Sequence, residues 1–292
     1  MLNTREALST YWGLESASVT PLNGGMNSET WLVVHEGSTF VAKSVSRDGL
    51  ADLVAGAEAA TALAEAGFVT GRPVPTRNGS IVELTAGLAL LEHVPGRELE
   101  GESEDEQRWI ARTLAGVHMA SDPATGPSTS TFGVDWLSPA MPGVGDHRWL
   151  RSAISAVRRE TDGLTLTWSL LHTDPLPGAF IHDDRTGVTG LIDWAGARRG
   201  PVLYDVASAV MYLGGREHAS HFLSTYETDG PLTTNELAHL DAFSRFREVV
   251  QGAYFAERLA TNDLTGGIDH AENEKGLSDA RRRLEALGTS TA

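Results

Sequence analysis

Residues 170–194 carry the most specific pattern of the chain, Leu170-Leu-His-Thr-Asp-Pro-Leu-Pro-Gly-Ala-Phe-Ile-His-Asp-Asp-Arg-Thr-Gly-Val-Thr-Gly-Leu-Ile-Asp-Trp194. Its pattern predicts an apolar strand, a polar loop and a hairpin that turns at residues 184–187. Asp174 precedes this hairpin and Asp193 ends it, so the two carboxylates can meet at one edge. Such a pair suits a base and a metal ligand. Each aspartate also fits a simpler role, because Asp is common in turns.

One lysine upstream of this stretch stands in an unusual place. Nearly all basic residues of the 292-residue chain are arginine, since Lys43 and Lys275 are its only lysines. Lys43 lies in the apolar run 39–45, which is typical of a strand. Because Arg and Lys are not interchangeable at charged sites, this placement indicates a site that needs a compact ammonium.

The hydrophobic periodicity changes near residue 97. Before that point it predicts a β meander with a Gly-rich turn over residues 18–45, a helix over 52–66 and a hairpin over 81–94. After that point the pattern is helical apart from the stretch quoted above. The sequence therefore predicts two domains, residues 1–97 and 98–292.

The order of these parts is that of a phosphoryl-transfer site. Three motifs make the likeness specific: His172-Thr-Asp174, Ile192-Asp-Trp194 and Tyr204-Asp-Val-Ala207. They resemble the H-G-D, I-D-W and Y-D-L-A motifs of the aminoglycoside phosphotransferase and choline kinase-like family. The resemblance implies a two-lobed, α+β, protein-kinase-like fold. The first domain is then a small, antiparallel, β-rich nucleotide-binding lobe, and the second a larger, mainly helical catalytic and substrate lobe.

The resemblance also implies roles for the charged residues. Asp174 is the catalytic Asp, which accepts the proton of the substrate hydroxyl. Asp193 holds Mg²⁺ against the β- and γ-phosphate oxygens of ATP. Lys43 pairs with the α- and β-phosphates and is held by Glu58 on the first helix, which would also explain how a lysine is tolerated in an apolar strand.

Further positions follow from the same resemblance. Backbone amides of the Gly-rich turn cover the phosphates, and the segment 90–94 between the lobes offers backbone groups to adenine. His172 and Asp205 support the catalytic loop. The nucleotide-binding positions are Asn23, Gly24, Gly25, Met26, Asn27, Ser28, Glu92 and Val94.

The chain departs from the family pattern at a metal-binding position. The pattern H-G-D-x-x-x-x-N places an Asn at position 179, where this chain has Ala179, and Thr173 replaces the glycine of H-G-D. Alanine offers no oxygen to a metal. Three outcomes are open: one metal suffices through Asp193, a neighbour such as His182 or Asp183 substitutes, or the chain binds nucleotide and does little chemistry.

The acceptor site is predicted from the C-terminal helices. An amine-bearing acceptor would be attracted by acidic residues there. For Asp269, Glu272 and Glu274, a solvated helix start is an equally good explanation. The candidates are Glu257, Asp263, Asp269, Glu272 and Glu274.

Composition restricts the partners. The chain carries 23 basic and 39 acidic residues, a formal net charge of −16, and has no cysteine. The acidic balance argues against nucleic acid. No apolar run is long enough for a membrane span and the start lacks a signal-peptide pattern, so we expect a cytoplasmic protein.

The leading hypothesis is an ATP- and Mg²⁺-dependent phosphotransferase that acts on a hydroxyl of a small molecule, such as an aminoglycoside-like or other cationic metabolite. Ala179 favours a second hypothesis, a pseudokinase-type protein that binds nucleotide or a partner. A third is a Ser/Thr kinase acting on a peptide during natural-product maturation.

Overall fold

The computed structural model describes residues 3–22, 25–120 and 137–288, and these form two compact units. The first unit contains the described residues up to 100 together with 178–197. The second contains the remaining described residues, which lie between 101 and 177 and from 198 onward. The hairpin of the central stretch therefore belongs to the first unit, whereas the loop that carries Asp174 belongs to the second.

The elements are numbered along the chain. The strands are β1 (Ser18–Leu22), β2 (Glu29–His35), β3 (Ser38–Ser44), β4 (Leu88–Glu92), β5 (Arg97–Glu98), β6 (Trp168–Leu171), β7 (Phe180–Asp183), β8 (Val188–Leu191) and β9 (Arg198–Pro201). The helices are α1 (Thr4–Ala7), α2 (Leu50–Glu65), α3 (Glu104–Ala120), α4 (Arg148–Thr161), α5 (Leu203–Tyr212), α6 (Ser220–Asp229), α7 (Thr234–Leu237), α8 (Leu240–Thr261) and α9 (His270–Ala286).

The first unit is built on the antiparallel sheet β1-β2-β3-β4. Side chains alternate between its faces, so the register partners Ala42 and Leu90 share one face while Lys43 and Ala89 share the other. Helix α2 covers the second face, where its Leu53 packs in one cluster with Ala89. This packing places Lys43 on the face of the sheet that α2 covers.

A hairpin completes the first unit. Strands β7 and β8 pair with each other, and β5 pairs with β7. The carboxylate of Asp183 accepts hydrogen bonds from the Arg185 N–H at 2.9 Å and the Thr186 hydroxyl at 2.9 Å. Gly187 supplies the positive φ of 71° that closes the turn. The chain therefore reverses at residues 184–187, as the sequence predicts.

The second unit is mainly helical. Strands β6 and β9 pair antiparallel, and α8 packs against α4, α5 and α9. The α5–α8 contact includes an edge-on pair of rings, Tyr204 and Phe246, with centroids 6.0 Å apart. The loop at 172–177 leaves β6 beside this packed pair of helices. No helix in the described part of the chain is long and apolar enough to cross a membrane.

Candidate active site

Lys43 meets Asp193 in the first unit. The side chain of Lys43, on β3, is 13% exposed, and its ammonium donates to a carboxylate oxygen of Asp193, whose side chain is 48% exposed. A nearly buried ammonium requires a counter-charge, and Asp193 supplies it. The predicted phosphate ligand and the predicted metal ligand therefore lie in direct contact.

The ion pair expected between Lys43 and Glu58 does not form. Gly56 and Ala57 lie on the face of α2 that lines a cavity with Lys43. Glu58 is two residues beyond Gly56, about 200° around the helix axis, and it is exposed. Among the described residues, Lys43 therefore pairs with Asp193 instead, because α2 turns Glu58 away from it.

Helix α2 lies directly against the turn that follows Asp193. A Cβ atom added to Gly56 would lie 2.5 Å from the carbonyl oxygen of Trp194 and 2.8 Å from the Cα of Ala195. Only glycine permits this approach of two backbones. A cavity of about 40 Å³ lies beside this contact, and Lys43 and Asp193 are among the residues that line it.

The backbone at Asp193 is itself unusual. Asp193 has a φ of 67°, in the left-handed region, and precedes the 3₁₀ turn Trp194–Gly196. The indole of Trp194 donates to the carbonyl of Leu191 at 2.8 Å, which anchors this turn to the end of β8. Aspartate tolerates the left-handed region better than most residues, and the conformation sets the direction of its carboxylate.

The neighbours of Ala179 do not supply a second metal ligand here. Ala179 is buried. The imidazole of His182 hydrogen-bonds to the Thr189 hydroxyl at 2.9 Å, and the Asp183 carboxylate is used within the hairpin turn. No group of three or more His, Asp or Glu side chains that could hold a metal occurs among the residues that the structure describes. Asp193 is a hard oxygen donor that fits Mg²⁺ in type, and the remaining ligands would come from the nucleotide and water.

The predicted nucleotide loop is described in part. Asn23 and Gly24 lie outside the described residues. Gly25 has a φ of 97°, and Ser28 is buried. Met26 and Asn27 lie in the bend between them.

The predicted adenine-binding segment begins at the end of β4. The Glu92 N–H donates to the carbonyl of Arg72 at 2.9 Å, so that amide is already used. The backbone of Val94 has no hydrogen-bond partner among the described residues. The N–H and carbonyl of Val94 are therefore unpaired within the described part of the chain.

Asp205 fixes the loop around His172 in the second unit. This fully buried carboxylate, in the first turn of α5, accepts the His172 N–H at 2.6 Å and the Thr173 N–H at 2.8 Å. His118 contacts the same carboxylate at 3.1 Å and the hydroxyl of Tyr226 at 2.6 Å. These bonds satisfy a buried charge and fix the backbone that leads into Asp174.

The loop is strained at its second residue. Thr173 has a φ of 74°, which is costly for a β-branched side chain. The family motif has glycine at this position, and glycine adopts this conformation without strain. The hydrogen bond from the Thr173 N–H to Asp205 holds the conformation in place.

The carboxylate of Asp174 is held on one side only. Arg247 Nη2 donates to its Oδ1 at 2.6 Å, and the Tyr212 hydroxyl donates to the same oxygen. No described residue hydrogen-bonds to Oδ2, and the side chain of Asp174 is 52% exposed. One oxygen is thus anchored while the other stays accessible.

Arg247 and Tyr212 were not expected from the sequence. Arg247 is buried, although it lies among the aromatic residues of α8 that fit a core face. Its guanidinium lies 5.7 Å from the ring centre of Tyr212 and 5.9 Å from that of Tyr204. The available signal was an arginine among the aromatic residues of α8, because a guanidinium in a core requires a buried partner charge.

The tyrosines around Arg247 remain protonated. Burial raises the pKa of Tyr204 to about 12, with Arg247 opposing the rise. Burial also raises the pKa of Tyr212, again against the influence of Arg247. Tyr212 is therefore a hydroxyl donor to Asp174 over the whole physiological pH range.

Most of the predicted acceptor-binding acids have partners of their own. Asp263 accepts from Arg258 at 2.9 Å. Asp269 and Glu272 form a reciprocal capping box at the start of α9. Glu274 lies 3.6 Å from the ring of His270 on the surface. Asp263, Asp269 and Glu272 are thus engaged in hydrogen bonds within the C-terminal helices.

Glu257 differs from the other acids. It is half-buried on α8, and its carboxylate has no partner among the described residues. Burial, together with the charge of Asp263, raises its pKa. Of the five predicted acids, Glu257 is the one whose carboxylate has no partner within the described residues.

Comparison with known proteins identifies the family. The profile of the phosphotransferase enzyme family (APH) matches residues 18–239. The chain belongs to this family. The prediction of family and enzyme class from the sequence motifs is thereby confirmed. No curated protein sequence matches the chain.

Solved structures confirm the protein-kinase-like fold. An amicoumacin kinase in complex with AMP-PNP, Ca²⁺ and Ami aligns with a TM-score of 0.74 at 16% identity, covering 98% of this chain and 94% of that one. The choline kinase LicA from Streptococcus pneumoniae aligns with a TM-score of 0.66 at 18% identity, over 94% and 97% of the two chains.

A third structure has an asparagine-to-alanine substitution. It is a thermostable mutant of an aminoglycoside phosphotransferase in ternary complex with AMP-PNP and hygromycin B. It aligns with a TM-score of 0.68 at 16% identity, over 99% of this chain and 100% of that one. At these identities the structures establish the fold, and the substrates belong to those proteins.

Proposed function

We propose that this chain transfers the γ-phosphoryl group of ATP to a hydroxyl of a small molecule in a Mg²⁺-dependent reaction. The observation that carries the proposal is the state of Asp174, which has one anchored oxygen and one accessible oxygen. A carboxylate held in this way is suited to act as a general base, because it keeps a lone pair exposed in a fixed direction.

The proton transfer follows from this geometry. Asp174 Oδ2 accepts the proton of the acceptor hydroxyl. At the same time the hydroxyl oxygen bonds to the γ-phosphorus, and the bond between the γ-phosphorus and the oxygen that leaves with ADP breaks. Oδ1 stays bound to Arg247 and Tyr212, so the carboxylate keeps its direction while it takes up the proton.

The nucleotide would be held by the first unit. Lys43 supplies a cation for the phosphates, the described part of the loop supplies backbone amides, and Val94 supplies free backbone groups for adenine. Binding the phosphates would draw the Lys43 ammonium away from Asp193, because both anions compete for it. Released in this way, the Asp193 carboxylate can hold Mg²⁺.

Asp193 fits Mg²⁺ as an oxygen ligand, whereas Ala179 offers none. Bound there, Mg²⁺ would neutralise charge on the β- and γ-phosphate oxygens. We infer that a single metal held through Asp193 suffices, because His182 and Asp183 are engaged within the hairpin.

For the acceptor we propose a small hydroxyl compound with a positive charge. Glu257 is the half-buried carboxylate that remains unpaired in the described part of the second unit, and an amine would relieve its repulsion from Asp263. The acidic net charge of the chain also favours cationic small molecules.

Two observations favour a second candidate function. Ala179 removes a metal-binding side chain, and Lys43 contacts Asp193 rather than Glu58. A protein that binds nucleotide and transfers phosphate slowly or not at all would have these features.

The test is ATP turnover in the presence of a panel of amino alcohols and aminoglycosides, with Asp174→Asn as the variant. We expect the variant to lose about 10²- to 10⁴-fold in turnover while ATP affinity stays within about twofold, since only the base is removed. Asp162→Asn, an exposed carboxylate in the same unit, is the matched control. Retained turnover in Asp174→Asn would exclude the role given to Asp174.

A further inference from the structure

We propose that Arg247 and Tyr212 are positioning residues: together they hold Oδ1 of Asp174 so that Oδ2 alone meets the acceptor hydroxyl. This inference rests on the proposed function of Asp174 as a base. It assigns a catalytic purpose to a buried arginine that the nucleotide-binding half of the reaction does not use.

The first argument is the cost of burying Arg247. Its side chain is 6% exposed, in the middle of α8. Its nearest acidic neighbour in sequence, Glu248, is paired with Arg283 at 2.8 Å instead. Within the described structure, the carboxylate that Arg247 contacts is that of Asp174. A guanidinium buried for packing alone would be replaced by an apolar side chain at no loss, so its pairing with a surface carboxylate indicates a role at that carboxylate.

The second argument is the rigidity of the guanidinium. It lies between the rings of Tyr204 and Tyr212 at 5.9 and 5.7 Å, and Nη2 also donates to the Tyr212 hydroxyl at 3.1 Å. When the Gln251 amide is oriented so that its oxygen faces the guanidinium, that oxygen accepts from Arg247 Nη1 at 3.2 Å. A planar fork fixed on several sides defines where Oδ1 lies.

The third argument is the spacing along α5. Asp205 and Tyr212 are seven residues apart, so they project from the same face of the helix two turns apart. Asp205 binds the amides of His172 and Thr173, and Tyr212 binds the side chain of Asp174. One rigid helix therefore holds both the backbone of the catalytic loop and its carboxylate.

Together these contacts restrict a side chain that would otherwise rotate. Asp174 is 52% exposed, and an exposed aspartate has several accessible rotamers. Saturating Oδ1 with two donors leaves Oδ2 as the acceptor and removes the need to order the carboxylate during the reaction.

The experiment compares Arg247→Met, Arg247→Lys and Tyr212→Phe with Arg245→Met. Arg245 lies on the same helix and pairs with Glu160 at 2.9 Å, away from Asp174, so its variant controls for loss of a guanidinium from α8. The readouts are kcat and KM for ATP, with water or a panel acceptor receiving the phosphoryl group. The unfolding midpoint and crystal structures of the variants complete the set.

We expect kcat to fall about 10²-fold in Arg247→Met and about tenfold in Tyr212→Phe, since misplacing a reacting group by about 1 Å has an effect of that size. The KM for ATP should stay within about twofold, and Arg247→Lys should restore part of kcat. In the crystal structures the Asp174 carboxylate should rotate away from its wild-type direction. Arg245→Met should behave as wild type.

Two results would overturn the inference. One is a kcat that stays at the wild-type level in folded Arg247→Met and Tyr212→Phe. The other is an Asp174 carboxylate that keeps its direction in both crystal structures. If Arg247→Met does not fold, Tyr212→Phe, which removes a single hydroxyl, decides the matter. If the wild type transfers no phosphate at all, the proposed function fails, and the direction of Asp174 in Tyr212→Phe still tests the positioning role.

Discussion

The carboxylates proposed for catalysis are held in opposite ways in the two units. Asp174 is bound by a buried guanidinium and a half-buried tyrosine hydroxyl, and its loop is fixed by the buried Asp205. Asp193 meets the ammonium of Lys43, a point charge on a flexible chain. Asp174 is therefore fixed by its contacts within the protein, whereas we expect Asp193 to exchange the Lys43 ammonium for Mg²⁺ when phosphate and metal bind.

Both regions also use positive φ outside glycine, at Thr173 and Asp193. The two residues differ in how the conformation is stabilised. The Thr173 N–H is bound by Asp205, and Asp193 is followed by the anchored turn at Trp194. Because both positions have a strained backbone, we infer that each unit orients its carboxylate through the backbone as well as through side chains.

The largest effect on stability is expected on the nucleotide side, from Gly56→Ala. The new methyl group would lie 2.5 Å from the Trp194 carbonyl oxygen, so α2 and the turn must separate. We expect a loss of about 1–3 kcal/mol in the free energy of unfolding, typical of overpacking, and weaker ATP binding.

The measurement for Gly56→Ala is urea denaturation together with ATP titration. Gly145→Ala is the control, because an added Cβ there meets no atom within 4 Å. Wild-type stability and ATP affinity in Gly56→Ala would show that the close approach of α2 to Trp194 does not matter.

In the second unit, Glu236→Gln tests the hydrogen bonds that hold the start of β6, where Glu236 accepts from Thr167. Burial would raise the pKa of Glu236, but hydrogen bonds from Thr233 and Thr167 outweigh it, and the pKa lies below 4.5. Because its pKa is lowered in the folded state, the ionised Glu236 stabilises the fold above pH 4.5. This stabilisation is lost as the pH falls through the pKa of the folded state.

We therefore expect Glu236→Gln to lower the free energy of unfolding by about 1–2 kcal/mol near pH 7. The difference from wild type should shrink below pH 4.5, as followed by denaturation at several pH values. If the difference in the free energy of unfolding between variant and wild type does not change with pH, the charge of Glu236 does not contribute to stability.

A smaller effect of opposite sign is expected from Thr173→Gly. Removing a β-branched side chain from a φ of 74° relieves strain, and part of the gain is offset by the greater freedom of glycine in the unfolded chain. We expect a gain of about 0.5–1 kcal/mol in thermal unfolding experiments. Thr165→Gly, at an exposed position without positive φ, should instead destabilise. Destabilisation by Thr173→Gly would show that the threonine side chain contributes more than its strain costs.

The smallest effect is expected from Ala179→Asn. If a single metal held through Asp193 suffices, restoring the asparagine changes kcat by less than about threefold, which corresponds to roughly 0.6 kcal/mol. Turnover assays with the wild type as reference decide this. A gain of tenfold or more would mean that the wild-type site is impaired, which favours the nucleotide-binding alternative.

Local motifs made the fold and family predictable from the sequence. The three motifs around Asp174, Asp193 and Asp205 identify the family because their order is specific, and the strand and helix periodicities predict the two kinds of architecture. The hairpin turn at 184–187 was also readable, since Asp and Gly determine it locally.

Long-range partners were not predictable. Lys43 and Asp193 are 150 positions apart, and Arg247 and Asp174 are 73 apart, so no local pattern encodes either pair. Which face of α2 meets the sheet also depends on tertiary packing, and this decides against the contact between Glu58 and Lys43. The acids at the start of α9 show the reverse case, because their capping box follows from local spacing alone.

Calorimetric titration of ATP with and without Mg²⁺, into wild type and Asp193→Ala, tests whether Asp193 holds the metal that the proposed phosphoryl transfer requires. We expect magnesium-dependent binding in the wild type and loss of that dependence in Asp193→Ala, since Asp193 is the proposed metal ligand. Binding that is absent, or that ignores Mg²⁺ in the wild type, would contradict a Mg²⁺-dependent phosphotransferase.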